Sequence, residues 1–392
     1  MAEIALKFLT EDAVECELGR LYWAREDDGS WSHRVKDLSE RFGVSVSKLP
    51  ERVGIAVCAT SGECRCTDCG ATHILHSRNH LLTMLKVPGM RCADCADLYA
   101  KRREDERKQA EYRDRLCVLR AFPELDADPN WSPRNLSLPH RVALLALLRG
   151  GTRTGEDGLP YLAAAECMDP PFAPTQELSL SLLSGLYHSG GAAPAPHLHA
   201  PNAIGEAFVC EPDGSATYYV LRARWQIPVG RSHDRYASVL ANVESLVAHE
   251  DHFGRDALEL WITIATHECI QYLRARLNEH DLDLLCNERL CQAVQHCLAF
   301  YSTSQVMNLE WSVVRDLVAY RTRKRIHPKH ASNLVPVRLE SYADRAAANG
   351  WDVRPYRRDW YCPQSLVSQL LYNLVLKYGD TGFDLLPGAH QP

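Results

Sequence analysis

Two stretches decide what kind of molecule this is: CRCTDCG, Cys64 to Gly70, and MRCADCA, Met90 to Ala96. Each carries a Cys-x-x-Cys pair, and 22 residues lie between Cys69 and Cys92. Cys66, Cys69, Cys92 and Cys95 supply the four thiolates that a tetrahedral d¹⁰ ion such as Zn²⁺ prefers, two from each short knuckle. Gly70 follows the first pair, where a tight turn must avoid a Cβ clash. Cys64 could replace Cys66 only by widening the pair to Cys-x₄-Cys, so Cys66 is the expected ligand. Four protein ligands leave no position for an activated water. The expected zinc is therefore structural, one site per chain, and stabilises a segment too small for a core of its own.

Residues 58–99 resemble the zinc-ribbon or treble-clef class. The gap is slightly longer than the usual spacing of about 15–20 residues, which a longer loop through NHLLTMLKVPG accommodates. Other uses of the cysteines fit less well. A thioredoxin-like redox site needs one pair in a βαβ setting, which the sequence lacks. An iron–sulfur cluster also takes four cysteines. An HNH-type nuclease adds catalytic histidines to such knuckles; His73, His76 and His80 lie in the loop, without the paired His and Asn spacing that chemistry needs.

The 392 residues are 46% hydrophobic and 24% charged, ordinary globular usage for several domains. Net charge is −6 and the pI is about 6.3, so any nucleic-acid contact must come from a local patch. Fifteen cysteines sit in a long chain whose start, MAEIALKFLTEDAVEC, has early acids and no apolar core of signal-peptide length. That combination implies a reducing, cytoplasmic setting. The longest clean apolar run, Val142 to Leu148, is far short of a bilayer span. Most cysteines outside the two pairs have apolar neighbours and read as small buried hydrophobes.

The expected fold class is α+β, mainly helical and multi-domain. Residues 1–57 end in RVKDLSERFGVSVSKLPERV, Arg34 to Val53. Apolar positions Val35, Leu38 and Phe42, then Leu49 and Val53, give two short helical periods broken at Gly43. Ser45 or Ser47 is the expected cap of the second, with Pro50 in its first turn. The segment resembles a helix-turn-helix, whose second helix would offer Lys48 and Arg52 to a nucleic acid. Residues 58–99 form the zinc ribbon. Residues 100–122 read as a charged connecting helix; Lys101 to Arg120 holds eight basic and five acidic residues, which largely cancel.

Residues 123–230 combine helical stripes with Asp213-Gly214 between two β-rich runs, a hairpin signal. Helices followed by a hairpin resemble a winged helix. Residues 231–392 carry apolar stripes at helical spacing, such as Val306, Leu309, Val313, Leu317 and Tyr320, and read as a helical bundle.

Hydrolytic patterns are incomplete. His267-Glu268-x-x-Gln271 lacks the second histidine of H-E-x-x-H. His249, Glu250, Asp251 and His252 offer no identifiable third ligand partner. The basic stretch is more informative: Arg315 to Arg358 holds eleven Lys/Arg against four Asp/Glu. Its densest part supplies Arg321, Arg323, Lys324, Arg325 and Lys329, and aromatics interleave with Arg357 and Arg358. Cations meet phosphates and aromatic planes stack on bases; the bland alternative is ion pairing with the acidic 249–288 region. The expectation is a zinc-containing, bacterial-type nucleic-acid-binding or regulatory protein of mobile-element or defence biology. A protein-interaction adaptor is the alternative, and a metal-dependent nuclease or hydrolase the second alternative.

Overall fold

Asp12 and Gly43 set the first turns of the chain in the computed structural model, which describes residues 3–87, 89–200, 203–251 and 254–389. Strand β1 (Ile4–Phe8) leads to α1 (Ala13–Trp23), whose free first-turn amides of Val14 and Glu15 donate to the Asp12 carboxylate. Helix α2 (Val35–Phe42) stops at Gly43, which adopts φ +64° and donates its N–H to the Ser39 carbonyl. A side chain there would strain the left-handed backbone. Helix α3 (Leu49–Ala56) carries Pro50 in its first turn, where a missing N–H costs nothing. The expected serine cap does not form: Lys48 occupies the cap with no side-chain bond, and the Ser45 carbonyl accepts from Lys48 and Leu49 instead. The loop tightens through its backbone, which leaves the serine hydroxyls to each other, 3.3 Å apart.

Strands β2 (Val57–Arg65) and β3 (Thr72–Leu75) complete an antiparallel sheet ordered β1-β2-β3. Helices α4 (Arg78–Lys86) and α5 (Ala93–Ala121) follow. One apolar cluster takes Leu18, Leu38 and Leu49 from the helices together with Ala59, Cys64 and Leu75 from the sheet and Leu81 from α4. The chain divides into two compact units at Tyr112/Arg113, within α5.

After the last turns of α5 the second unit continues with α6 (Leu138–Gly151), β4 (Thr152–Thr154), β5 (Pro160–Leu162), α7 (Gln176–His188) and β6 (Ala193–Pro194). Then come α8 (Ile204–Ala207), the hairpin β7 (Phe208–Cys210) and β8 (Ala216–Tyr218), and β9 (Trp225–Gln226). The hairpin turns at Asp213-Gly214, with Gly214 at φ +82°. Strands β4, β5, β9 and β6 form a small sheet in that order. The rest is helical: α9 (His233–Ala248), α10 (Arg255–Asn278), α11 (Glu288–Leu298), α12 (Thr303–Lys324), α13 (Pro328–Asn333), α14 (Val335–Ala348) and α15 (Leu366–Leu370), which continues as a π-helical turn over Leu371–Val375. The molecule is thus mainly helical with small sheets.

Val306, Leu309, Val313 and Leu317 are all buried, so the stripe on α12 faces the core as its period implies. Between α14 and α15 an irregular segment crosses the start of α12. Gln305 donates to the Val353 carbonyl at 2.8 Å, Asn308 to the Arg354 carbonyl at 2.8 Å, and the Tyr356 amide to the Ser304 carbonyl at 3.0 Å. None of the described helices is long and apolar enough to cross a membrane.

Candidate metal centre and cationic surface

The first Cys-x-x-Cys sits in the turn between β2 and β3, and the second opens α5. Gly70, at φ +73°, returns its N–H to the Cys66 carbonyl at 2.9 Å, and the Cys66 amide donates to Ala71 at 2.8 Å, closing the first knuckle. In the second, the Ala96 amide donates to the Cys92 carbonyl at 2.8 Å, so the first turn of α5 itself spaces Cys92 and Cys95. The two knuckles are tied by their flanks. Thr67 N–H and His73 Nε2–H both donate to the Met90 carbonyl, at 3.4 and 3.1 Å. Arg91 Nε pairs with Asp68 at 2.7 Å and its guanidinium lies over the Tyr99 ring at 3.9 Å.

The four sulfurs consequently lie within 4.8 Å of one another. Cys69 and Cys92 Sγ are 3.7 Å apart, close to the edge of about 3.8 Å that a tetrahedron with 2.3 Å metal–sulfur bonds requires. The donor set fits a metal ion. Backbone N–H groups of Cys69 and then Cys92 lower the Cys66 thiol to about 6. Crowding by the sulfurs of Cys92 and Cys69 pushes Cys95 up. A cation at the centre would relieve that crowding and favour all four thiolates. Cys64 lies in the apolar core and takes no part.

The histidines of the loop are engaged elsewhere. His73 holds Met90, and His76 stacks on His80 with ring centroids 5.3 Å apart. In the second unit His267 and Glu268 do not converge. His267 Nδ1 meets the Thr175 hydroxyl at 2.7 Å. Glu268, fully buried, accepts from Tyr372 at 2.8 Å and pairs with Arg358 at 2.8 Å. His249 Nδ1 donates to the Ser245 carbonyl and Glu250 pairs with Arg141; His252 lies outside the described residues.

The basic residues separate into two kinds. Arg52 is bound to Glu15 through Nε at 3.0 Å and Nη2 at 2.5 Å, joining α3 to α1. Arg358 answers Glu268, and Arg321 donates to the His280 carbonyl at 2.8 Å. By contrast the side chains of Lys48, Arg323, Lys324, Arg325, Lys329 and Arg357 are exposed and make no ion pair among the described residues. Arg321, Arg323 and Lys324 form the last turn of α12, where cations complement the helix C-terminus, and Arg325 ends it in the left-handed region at φ +54°.

Two further groups on α12 matter here and belong to no motif in the sequence. Trp311 is exposed on α12, and its signal was its position off the apolar stripe. Glu310 is fully buried on the same helix with neither carboxylate oxygen bonded among the described residues. An acid sharing a helical face with Val306, Val313 and Leu317 was its signal. Burial raises its carboxyl well above the usual range. No known family model, curated protein or solved structure matches this chain.

Proposed function

We propose that the chain is a zinc-stabilised nucleic-acid-binding protein whose binding cations lie at the end of α12. The observation that carries this is the set Arg323, Lys324, Arg325 and Lys329, exposed and without an ionic partner among the described residues. Ion pairing with the 249–288 region, the competing explanation of the basic stretch, accounts for Arg358 through Glu268 but not for these four. The end of α12 carries Arg323, Lys324 and its cap Arg325, and α13 carries Lys329, so the backbone beneath all four is ordered before phosphate contact. Arg321 extends the patch; the segment of Arg357 is tied to the start of α12 instead, and Arg358 acts in the fold.

Zinc suits the four-sulfur donor set, and a site closed by four thiolates has a structural role. One pair in a hairpin turn and one in the first turn of a helix favour the treble-clef form over the ribbon. The α2–α3 pair around Gly43 supports a helix-turn-helix-like element, with Lys48 exposed and without an ion pair among the described residues. The order of helices and hairpin in 123–230 supports the winged-helix-like reading of that segment. Trp360, 78% exposed beside exposed Tyr361, favours a second reading, a protein-interaction adaptor.

Polynucleotide binding across a salt series tests the first reading. Each lost phosphate contact lowers the log–log slope by about 0.9 on duplex and 0.7 on single strands. An Arg321/Arg323/Arg325→Gln variant should bind every sequence more weakly, with a slope shallower by roughly two to three. An unchanged slope, or no binding by wild type at low salt, leaves the adaptor.

A further inference from the structure

Helix α12 has a second face with a different character from its buried stripe. Trp311, Arg315, Val318, Thr322 and Arg325 recur at spacings of 4, 3, 4 and 3, which aligns them along one side. Trp311 is 39% exposed and lies outside the core. Against the end of α10 this side forms a groove. Its narrow part, ≈ 210 Å³, is bordered by Trp311, Val314 and Val318, with Arg276 and Arg315 beside them. Its wider part, ≈ 550 Å³, continues past Val318 to Arg321 and Arg325. Trp311 to the end of α12 at Lys324 spans about 20 Å of helix.

The chemistry changes along that length. At one end an indole stands beside a guanidinium, Arg315 lying 5.1 Å from the Trp311 ring, with the Tyr356 ring at 6.4 Å. At the other end are Arg321 and Arg325, the latter without an ion pair among the described residues. Four arginines and two carboxylates, Glu279 and Asp281, line the two parts; Arg276 is tied to Asp359 at 2.7 Å and Arg315 to Asp316 at 2.9 Å, which leaves Arg321 and Arg325 as the cations open to phosphate. Glu279 is held by Arg276 at 3.1 Å, so Asp281 is the carboxylate left to accept from an amino group.

We propose that this groove binds single-stranded nucleic acid, with an unpaired base against Trp311 and the adjoining phosphates on Arg321 and Arg325. This rests on the nucleic-acid reading above and adds the form of the polymer. A planar base gains from an aromatic ring and a guanidinium together, and any base serves because each has a π-face. Bases inside a duplex are stacked on one another and do not reach such a slot, so single strands are selected. An acidic peptide would satisfy the arginines, but it leaves the indole slot without a planar partner.

The test compares wild type and Trp311→Leu on a fluorescent oligothymidylate, the same strand with abasic residues, its duplex with oligodeoxyadenylate, and polyglutamate as competitor. Losing one stack should weaken oligothymidylate binding about 5- to 150-fold without changing the salt slope. Wild type should prefer the base-bearing strand to the abasic one by a similar factor and the single strand to the duplex; Trp311→Leu should lose the preference over the abasic strand. The abasic comparison on wild type stands even if the variant folds poorly. Equal binding of base-bearing and abasic strands overturns the base slot, as does undiminished binding by a variant with the wild-type melting curve. Either result leaves the cationic patch to be judged by its own salt slope. Displacement by polyglutamate as effective as by oligothymidylate of equal charge overturns the proposal in favour of an acidic peptide. Absence of all polynucleotide binding overturns both readings together.

Discussion

The four-cysteine centre and the buried carboxylates of the second unit both gather ionisable groups, but they are supported from very different distances in sequence. At the cysteine centre every tie is local: Gly70 to Cys66, Ala96 to Cys92, and Met90 to Thr67 and His73, all within 31 residues of one another. Glu268 on α10 depends on Arg358 and Tyr372, 90 and 104 residues further along the chain. Glu310 has no partner among the described residues. A compact spacing can therefore encode a centre, whereas a buried charge in a bundle depends on where the rest of the chain arrives.

The largest effect is expected at the centre. Cys69→Ser or Cys92→Ser should abolish tight metal binding and unfold the segment around residues 58–99 first. Structural zinc contributes on the order of 10 kcal/mol in isolated fingers, more than a unit of this size has to spare. Metal analysis should give about one Zn²⁺ per wild-type chain, and hydrogen exchange should reveal early loss of protection in β2 and β3. Iron with a visible absorption band, no metal at all, or a variant that keeps both metal and protection would break the comparison on this side.

Arg358→Met comes next. It leaves Glu268, with 1% of its side chain exposed, facing Tyr372 without a counter-charge. Removing one partner of a buried pair costs about 3–5 kcal/mol; the 21% exposure of Arg358 puts the expectation at the lower end. Denaturant unfolding measures it. Adding Glu268→Gln should recover part of the loss, because the uncompensated charge goes with it. A cost below about 1 kcal/mol, or no recovery in the double variant, would mean that the pair is not what makes Glu268 tolerable.

Glu310→Gln should act in the opposite direction. Desolvation raises the carboxyl well above its usual range in the folded protein. Above its unfolded value of about 4.3 the folded state then holds the extra proton, so stability falls as pH rises toward the folded value. The glutamine lacks that dependence. The variant should match or modestly exceed wild type near pH 4 and gain on it as pH approaches 7, by at most about 1.4 kcal/mol per pH unit. Parallel stability–pH curves would show that Glu310 is ionised in the fold, with a counter-charge beyond the described contacts.

These contrasts also explain what could be read from sequence. The cysteine knuckles and the glycine after the first were legible because their geometry is set within a few residues. So were the Asp213-Gly214 hairpin and the apolar stripe of α12, whose periods are local. The cap of α3 was not, because Ser45 acts there through its carbonyl, which no side-chain preference reports. Nor was the split among the arginines legible. Arg323 and Arg358 look alike in sequence, but Arg358 belongs to a segment laid across α12 by Gln305 and Asn308, and only that tertiary path brings it to Glu268. The Trp311 groove likewise needs α10 and α12 side by side.

The smallest effect tests whether the first unit handles surface charge as the second does. Arg52 joins Glu15 with side-chain exposures of 36% and 23%, so solvent screens the pair. Arg52→Gln should cost little, and the cost should shrink with added salt. A phosphate contact through Arg52 would first have to break its bonds to Glu15, whereas the exposed Lys48 ammonium is free of an ionic partner among the described residues. If α3 meets nucleic acid, Lys48→Gln should therefore lower the salt slope by about 0.7–0.9 and Arg52→Gln should leave it unchanged. A slope that falls in Arg52→Gln instead would mean that Arg52 exchanges Glu15 for phosphate on binding, and that an ion pair at this surface serves as a reserve of binding charge and not as a fixed tie between α1 and α3.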